Sequence, residues 1–282
     1  MIDYLLPSSA SAVRLEVFDA QQNLVRKFSS EDPSAPKHPP LPVAERWFPK
    51  PEVLEKTAGM HRFVWDLTWS SSGGPSADEE AGYNNPSGPK AVPGIYQVRL
   101  TVDGKVQNQS LKIIMDPRSP ATPETLAQQL ELGQQMFGET KEARRAMAEI
   151  GSVQKQLTDI QLKPGAQNAQ LKSALAEARS GINKILTHKE HAVDDDDSPG
   201  LQDSYTGLAS ALRVVEGGDR AVPSQAIAVY KESSQRIKAR IAEWTQFKQT
   251  TLAQLNRQLR EANLAPIAIA EIEQQVEFLM SR

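Results

Sequence analysis

The chain contains no cysteine. That excludes disulfides, zinc–thiolate centres and thiol nucleophiles, and it fits any compartment. Aromatic residues make up only 6 % of the 282 residues, so any cluster of them stands out. No run approaches the roughly 18 apolar residues that a membrane-spanning helix needs. Neither sign of charge dominates: 32 basic residues against 35 acidic ones leave a net charge of −3. Neutralising a phosphate backbone needs a basic surplus, so nucleic acid is not an expected partner, and neither is a membrane. Glycine-rich phosphate loops of either common spacing are missing. So is the G-x-S-x-G turn of serine hydrolases. The histidines are His38, His61, His188 and His191. None adjoins a nucleophile motif, so no residue is nominated as catalytic and no cofactor is expected. The start, "MIDYLLPSSASAVRLEV", lacks the basic and apolar regions of a signal peptide. As given, the chain is expected to be cytoplasmic. If the strand-like opening marks a fragment of a longer exported parent, the compartment is periplasmic or extracellular.

What is present divides into two kinds of sequence. Of the 19 prolines, 13 fall in residues 1–117, as do three of the four tryptophans. Beyond Pro123 the chain is rich in Ala, Gln, Glu, Lys and Leu. "MDPRSP" (115–120) is the expected hinge, because two prolines and an aspartate disfavour continued helix or sheet. The expected domains are therefore 1–116 and 117–282. In the first, residues 12–20 alternate Val13, Leu15 and Val17 with polar neighbours, and 23–29 completes a hairpin. Residues 94–114 form a second hairpin about Asp103-Gly104, a dipeptide suited to a type I′ turn. "GMHRFVWDLTW" (59–69) is a further strand that should place Phe63, Trp65 and Leu67 inside and His61 at the rim. Five to seven strands with these turn signals predict an antiparallel Ig-like β-sandwich. A proline-rich stretch (31–54) and a long polar loop (70–94) interrupt it.

The second domain reads as helix. Thr122 as cap, Pro123 at the first helical position and Glu124 in the first turn mark a helix start. Four apolar stripes follow at three- and four-residue steps, each of which must be buried against another. An elongated antiparallel bundle of about four helices is expected. Residues 265–282 are expected to add a short fifth helix.

These segments together resemble one arrangement. "VRLEVFDAQQNLVRKFSS", "LPVAERWFPKPEVL", "GMHRFVWDLTW" and "VPGIYQVRLTVDGKVQNQSLKIIMDPR" are similar to the C-terminal region of bacterial BNR-repeat, sortilin-like β-propeller proteins. Those proteins are commonly described as glycosyl hydrolases or sialidase/xyloglucanase-like proteins. The β-part also resembles the FlgD-like Ig-type domain of the flagellar hook-capping protein, over residues 13–26, 59–66 and 93–98. Asn23 stands where a turn glycine is usual, and Asn tolerates the left-handed conformation. The helical tail is similar to that of the propeller family, whereas the propeller repeat itself does not occur here. Any glycan-cleaving carboxylates would lie on that other part, so none carries over.

The resemblance implies a non-catalytic accessory module that docks or orients a β-propeller, in cis or in trans. The alternative is a carbohydrate-binding module. Trp47, Phe48, Trp69 and Tyr83, with the amides of Asn84 and Asn85, are the candidate sugar- or partner-binding residues, since aromatic faces beside amides suit glycans. Pinning of the proline-rich segment is the favoured reading of Trp47 and Phe48. Asp66 with Asp78, Glu79 and Glu80 could supply the paired carboxylates of a glycosidase, although a solvated polar loop is favoured. His188 and His191 lead four aspartates in "HKEHAVDDDD", a weak metal candidate. Its phase does not match a calcium loop, and a solvated interhelical loop is favoured.

Overall fold

The computed structural model describes residues 1–32, 53–69, 88–166, 168–187 and 199–269. The chain has mixed α and β content, with two antiparallel sheets followed by helices. It separates into two compact units. One comprises Met1–Gln134 with Val215–Val222, the other Gln135–Val214 with Pro223–Arg282.

The first unit holds the six described strands. They are β1 (Ile2–Leu6), β2 (Val13–Phe18), β3 (Leu24–Ser29), β4 (Gly59–Phe63), β5 (Gly94–Val102) and β6 (Lys105–Ile113). β1 and β4 pair with each other, and the other strands form a sheet in the order β3-β2-β5-β6. The alternation predicted for β2 is present: Val13, Leu15 and Val17 are fully buried, while Arg14 is exposed and Glu16 half-buried. Both sheets feed one apolar cluster. Tyr4, Leu6 and Phe63 come from the β1–β4 pair, and Val13, Leu15, Val17, Tyr96 and Val98 from the larger sheet. Burying each large apolar side chain contributes roughly 1.5–3 kcal/mol.

Turn chemistry sets the hairpins. Asp103 and Gly104 have φ of 46° and 81°, the left-handed pair a type I′ turn demands. Asp103 does more than turn: its Oδ1 accepts the N–H groups of Ser11 and Ala12 at 2.9 and 3.0 Å, tying the hairpin tip to the entry of β2. In the β2–β3 hairpin the left-handed residue is Gln22, at φ 65°, rather than Asn23. Asp19 explains the choice. Its carboxylate accepts the backbone N–H of Gln21 and both the backbone and side-chain N–H of Asn23, which fixes Asn23 as a turn brace.

"GMHRFVWDLTW" is a strand for only half its length. β4 stops at Phe63, and Leu67 takes φ 61°. Phe63 and Trp65 are buried as expected, His61 is half-buried, and Leu67 turns outward. The left-handed residue breaks the period-two alternation, so the inward placement expected for Leu67 fails.

The helices are α1 (Pro123–Gln161), α2 (Ala169–Leu186), α3 (Leu201–Val215), α4 (Ser224–Phe247) and α5 (Ala253–Glu261). α1 begins as expected, with Thr122 Oγ1 accepting the N–H of Thr125. Asn168 caps α2 by accepting the N–H of Leu171 at 2.7 Å. Apolar faces meet in the second unit through Met136, Ile150, Leu157, Ile182, Leu208, Leu212, Ile237 and Trp244, among others. α2 contacts both α4 and α5. Gly181 permits one close approach, since a Cβ there would lie 3.0 Å from the Phe247 ring. Between α4 and α5 the chain makes a π-helical turn over Lys248–Leu252, which simple three- and four-residue spacing did not foretell. Among the described residues no helix is long and apolar enough to cross a membrane.

Candidate functional site

Of the residues singled out from sequence, Trp47, Phe48, Tyr83, Asn84 and Asn85 lie outside the described residues. His188 and His191 do too, as do Asp78, Glu79 and Glu80. Trp69 is described. It is half-buried and packs against the apolar cluster of the sheets. Its backbone N–H donates to Pro89 O at 2.8 Å, and its carbonyl accepts an N–H of Arg26 at 3.0 Å. Its indole Nε1 is buried without a hydrogen-bond partner among the described residues.

Around it runs a local network that uses the polar groups of 65–69 for shape. Asp66 Oδ1 accepts from the hydroxyl and the N–H of Thr68, at 2.7 and 3.1 Å. The indole N–H of Trp65 donates to Thr68 O at 3.0 Å. Its ring meets Tyr96 edge-on, with centroids 6.0 Å apart. Asp66 therefore holds the turn after β4. Burial pushes the Arg26 guanidinium down from its ordinary range, opposed by the charges of Asp66 and Asp32. Burial likewise pushes the Tyr96 phenol up to about 12, although its O–H donates to Val92 O.

A surface the sequence reading passed over lies on the outer face of β1 and β4. The register sets Leu5 opposite Met60 and Asp3 opposite Arg62. Residues two apart share a face of a strand. Met1, Asp3 and Leu5 therefore point one way with Met60, Arg62 and Val64. Met1, Leu5 and Met60 are 77 %, 65 % and 73 % exposed, and Val64 is exposed as well. Between them the Arg62 guanidinium grips Asp3 by two hydrogen bonds of 2.8 Å, which hold the Asp3 carboxyl below its usual range. The inward residues of the same strands, Tyr4, Leu6 and Phe63, are buried. The signal was legible in "IDYLL" and "GMHRFV", where apolar residues occupy both faces of a strand rather than one.

Two half-buried carboxylates, one in each unit, sit in opposite electrostatic settings. Glu216 Oε2 accepts the backbone N–H of Lys90 at 2.9 Å, while its Oε1 is buried with no partner among the described residues. Burial pushes this carboxyl up, against the Lys90 N–H and the Lys90 charge. Glu149 is the reverse case. Burial opposes its ionisation, but hydrogen bonds from Lys248 and Trp244, each 2.9 Å, and the charges of Lys248 and Arg145 outweigh it. The carboxyl is held below its usual range. No cluster of three or more potential metal-ligating side chains occurs among the described residues. No protein-family model, curated protein or solved structure matches this chain.

Proposed function

We propose that this chain is a non-catalytic accessory module, an Ig-like β-sandwich followed by a helical bundle, that docks a β-propeller domain in cis or in trans. The observation that carries this reading is the outer face of β1 and β4. Monomeric proteins finish solvent-facing strands with polar residues, and contiguous exposed apolar groups mark interaction sites. Here Leu5 and Met60 stand directly opposite each other and exposed, with Met1 and Val64 beside them. The Asp3–Arg62 pair within the row adds a fixed polar element. An apolar centre with such a polar element is how protein interfaces are built. The partner's identity rests on the resemblance to propeller-associated C-terminal regions. Carbohydrate binding has less support, because the Trp69 indole N–H is buried and its ring packs on the cluster.

The test is calorimetric titration of the chain with a separately produced BNR-repeat propeller domain. Binding by the parent protein, lost in Leu5→Glu and Met60→Glu, is expected. No heat at high concentration, or binding that both charged variants retain, would sink the proposal.

A further inference from the structure

The charges on the outer face of β1 and β4 are arranged as well as its apolar groups. Asp3 stands opposite Arg62, and Leu5 opposite Met60 at one end of the face. Met1 and Val64, both exposed, flank the ion pair at the other end. Arg62 uses its Nε and one Nη2 hydrogen on Asp3, one for each carboxylate oxygen. A guanidinium has more N–H donors than these two, and each carboxylate oxygen keeps a second lone pair. The side chains are 61 % and 45 % exposed, so the unused donors and lone pairs can be reached from outside.

Such a face is complementary to itself. Two identical faces most often meet about a two-fold axis, which for face-to-face contact lies in the plane between them. An axis running across the strands would set Asp3 on Asp3 and Arg62 on Arg62. An axis running along the strands, midway between β1 and β4, exchanges the two strands instead. Asp3 then faces Arg62 of the second copy, and Leu5 faces Met60 of the second copy. The charges select this second axis, because like-charge contacts across an interface are costly. Each Asp3–Arg62 pair lies head to tail on the other, with apolar residues at both ends. Stacked sheets with strands aligned within about 30° are an ordinary packing mode.

We propose that, in the absence of the propeller partner, a second copy of this chain covers the face about a two-fold axis parallel to β1 and β4. The inference rests on reading the face as a docking surface, and it makes self-association the competitor that the partner displaces. The face offers Met1, Asp3, Leu5, Met60, Arg62 and Val64. A standard interface uses roughly 20–30 residues a side, so this dimer is weak and exchanges readily. Methionine is unbranched and adaptable, which lets one surface meet a second copy or a different partner.

Sedimentation equilibrium of the full chain alone, from micromolar to millimolar protein, is expected to show reversible dimerisation. Asp3→Arg and Arg62→Asp each set like charges against each other across the axis, and each should weaken self-association at least about tenfold. Mixed in equal amounts, the two variants should form a heterodimer of near-parent affinity. The axis then sets the two cations of one chain on the two carboxylates of the other. Thermal unfolding of each variant should match the parent's, since an exposed ion pair contributes little to stability. A parent chain that stays monomeric at millimolar concentration would overturn the proposal. So would reversals that leave self-association unchanged, or a mixture no tighter than either variant alone. Added propeller domain should dissociate the dimer, and a dimer that persists with the propeller bound would assign self-association to another surface and overturn the proposal. If the propeller domain does not bind while the charge-swap pattern holds, the dimer stands and only the partner's identity falls.

Discussion

The two sheets of the first unit bury the same kind of inner face, and both expose apolar residues outside, differently arranged. On the four-stranded sheet, the outward row through Glu16, Arg99 and Asn108 is polar, whereas the row through Arg14 and Thr101 ends on Val106, and Val106, Ile95 and Leu24 are exposed. Its outward aromatic, Phe18, is covered by the Arg99 guanidinium 4.4 Å from the ring centre. The exposed edge strand β6 is largely Gln, Asn, Ser and Lys, which discourages pairing with a foreign strand. The β1–β4 pair has one ion pair outside and otherwise methionine, leucine and valine. What differs is the arrangement: Val106, Ile95 and Leu24 lie in separate rows of the four-stranded sheet, whereas Leu5 and Met60 stand directly opposite each other. The distinction lies in alternate residues that contribute little to folding.

A similar contrast separates the two half-buried carboxylates. Glu149 has three cationic or N–H groups around it, and Glu216 has one backbone N–H and an oxygen with no partner among the described residues. One is stabilised as a charge and the other is penalised as one.

The inner and outer faces should separate most sharply under truncation. Phe63→Ala removes a fully buried ring shared by both sheets and should cost about 3–5 kcal/mol in chemical denaturation. Met60→Ala, three residues away in the chain, should change stability by less than about 0.5 kcal/mol. Equal costs would mean that the outer row is structural. Next in size is the binding effect of Leu5→Glu or Met60→Glu. Central interface residues lose about 2 kcal/mol or more on disruption, so affinity for the proposed propeller partner should fall at least about thirtyfold, with the unfolding midpoint unchanged.

Glu149→Gln should destabilise by about 1–3 kcal/mol at neutral pH, the worth of hydrogen bonds to a charged group. Because its folded pKa is depressed, the stabilisation is present above the ordinary carboxylate range and is lost as pH falls through the folded pKa. The gap between variant and parent should therefore begin to narrow as pH falls below the ordinary glutamate range and close only below the depressed folded pKa. Glu216 has the opposite sign and the smallest effect. Its folded pKa is raised, so the relative stability it contributes is full below the unfolded pKa and declines as pH rises through the folded one. Glu216→Gln should flatten that decline in thermal unfolding followed from acid to mildly alkaline pH. A steeper decline in the variant would show that the Lys90 contact, not burial, sets the balance.

Much of this was written locally. Val13, Leu15 and Val17 announce a buried strand face, Asp103-Gly104 its turn, and Thr122-Pro123 the start of α1, because each depends on neighbours within a few residues. The candidate site was far less legible. Aromatic content drew attention to Trp69, whereas the exposed row belongs to Leu5 and Met60, which share a face only once β1 and β4 pair across more than fifty residues of chain. The left-handed turns of Leu67 and Gln22 likewise answer to distant or competing partners: the Leu67 carbonyl receives the Ala91 N–H, and Asp19 claims Asn23. Periodicity and turn chemistry decide which segments become strands and helices, since those energies are local. Which faces end up covered and which carboxylate finds its cations were decided only by tertiary contact, since those energies arise between residues that the chain alone keeps far apart.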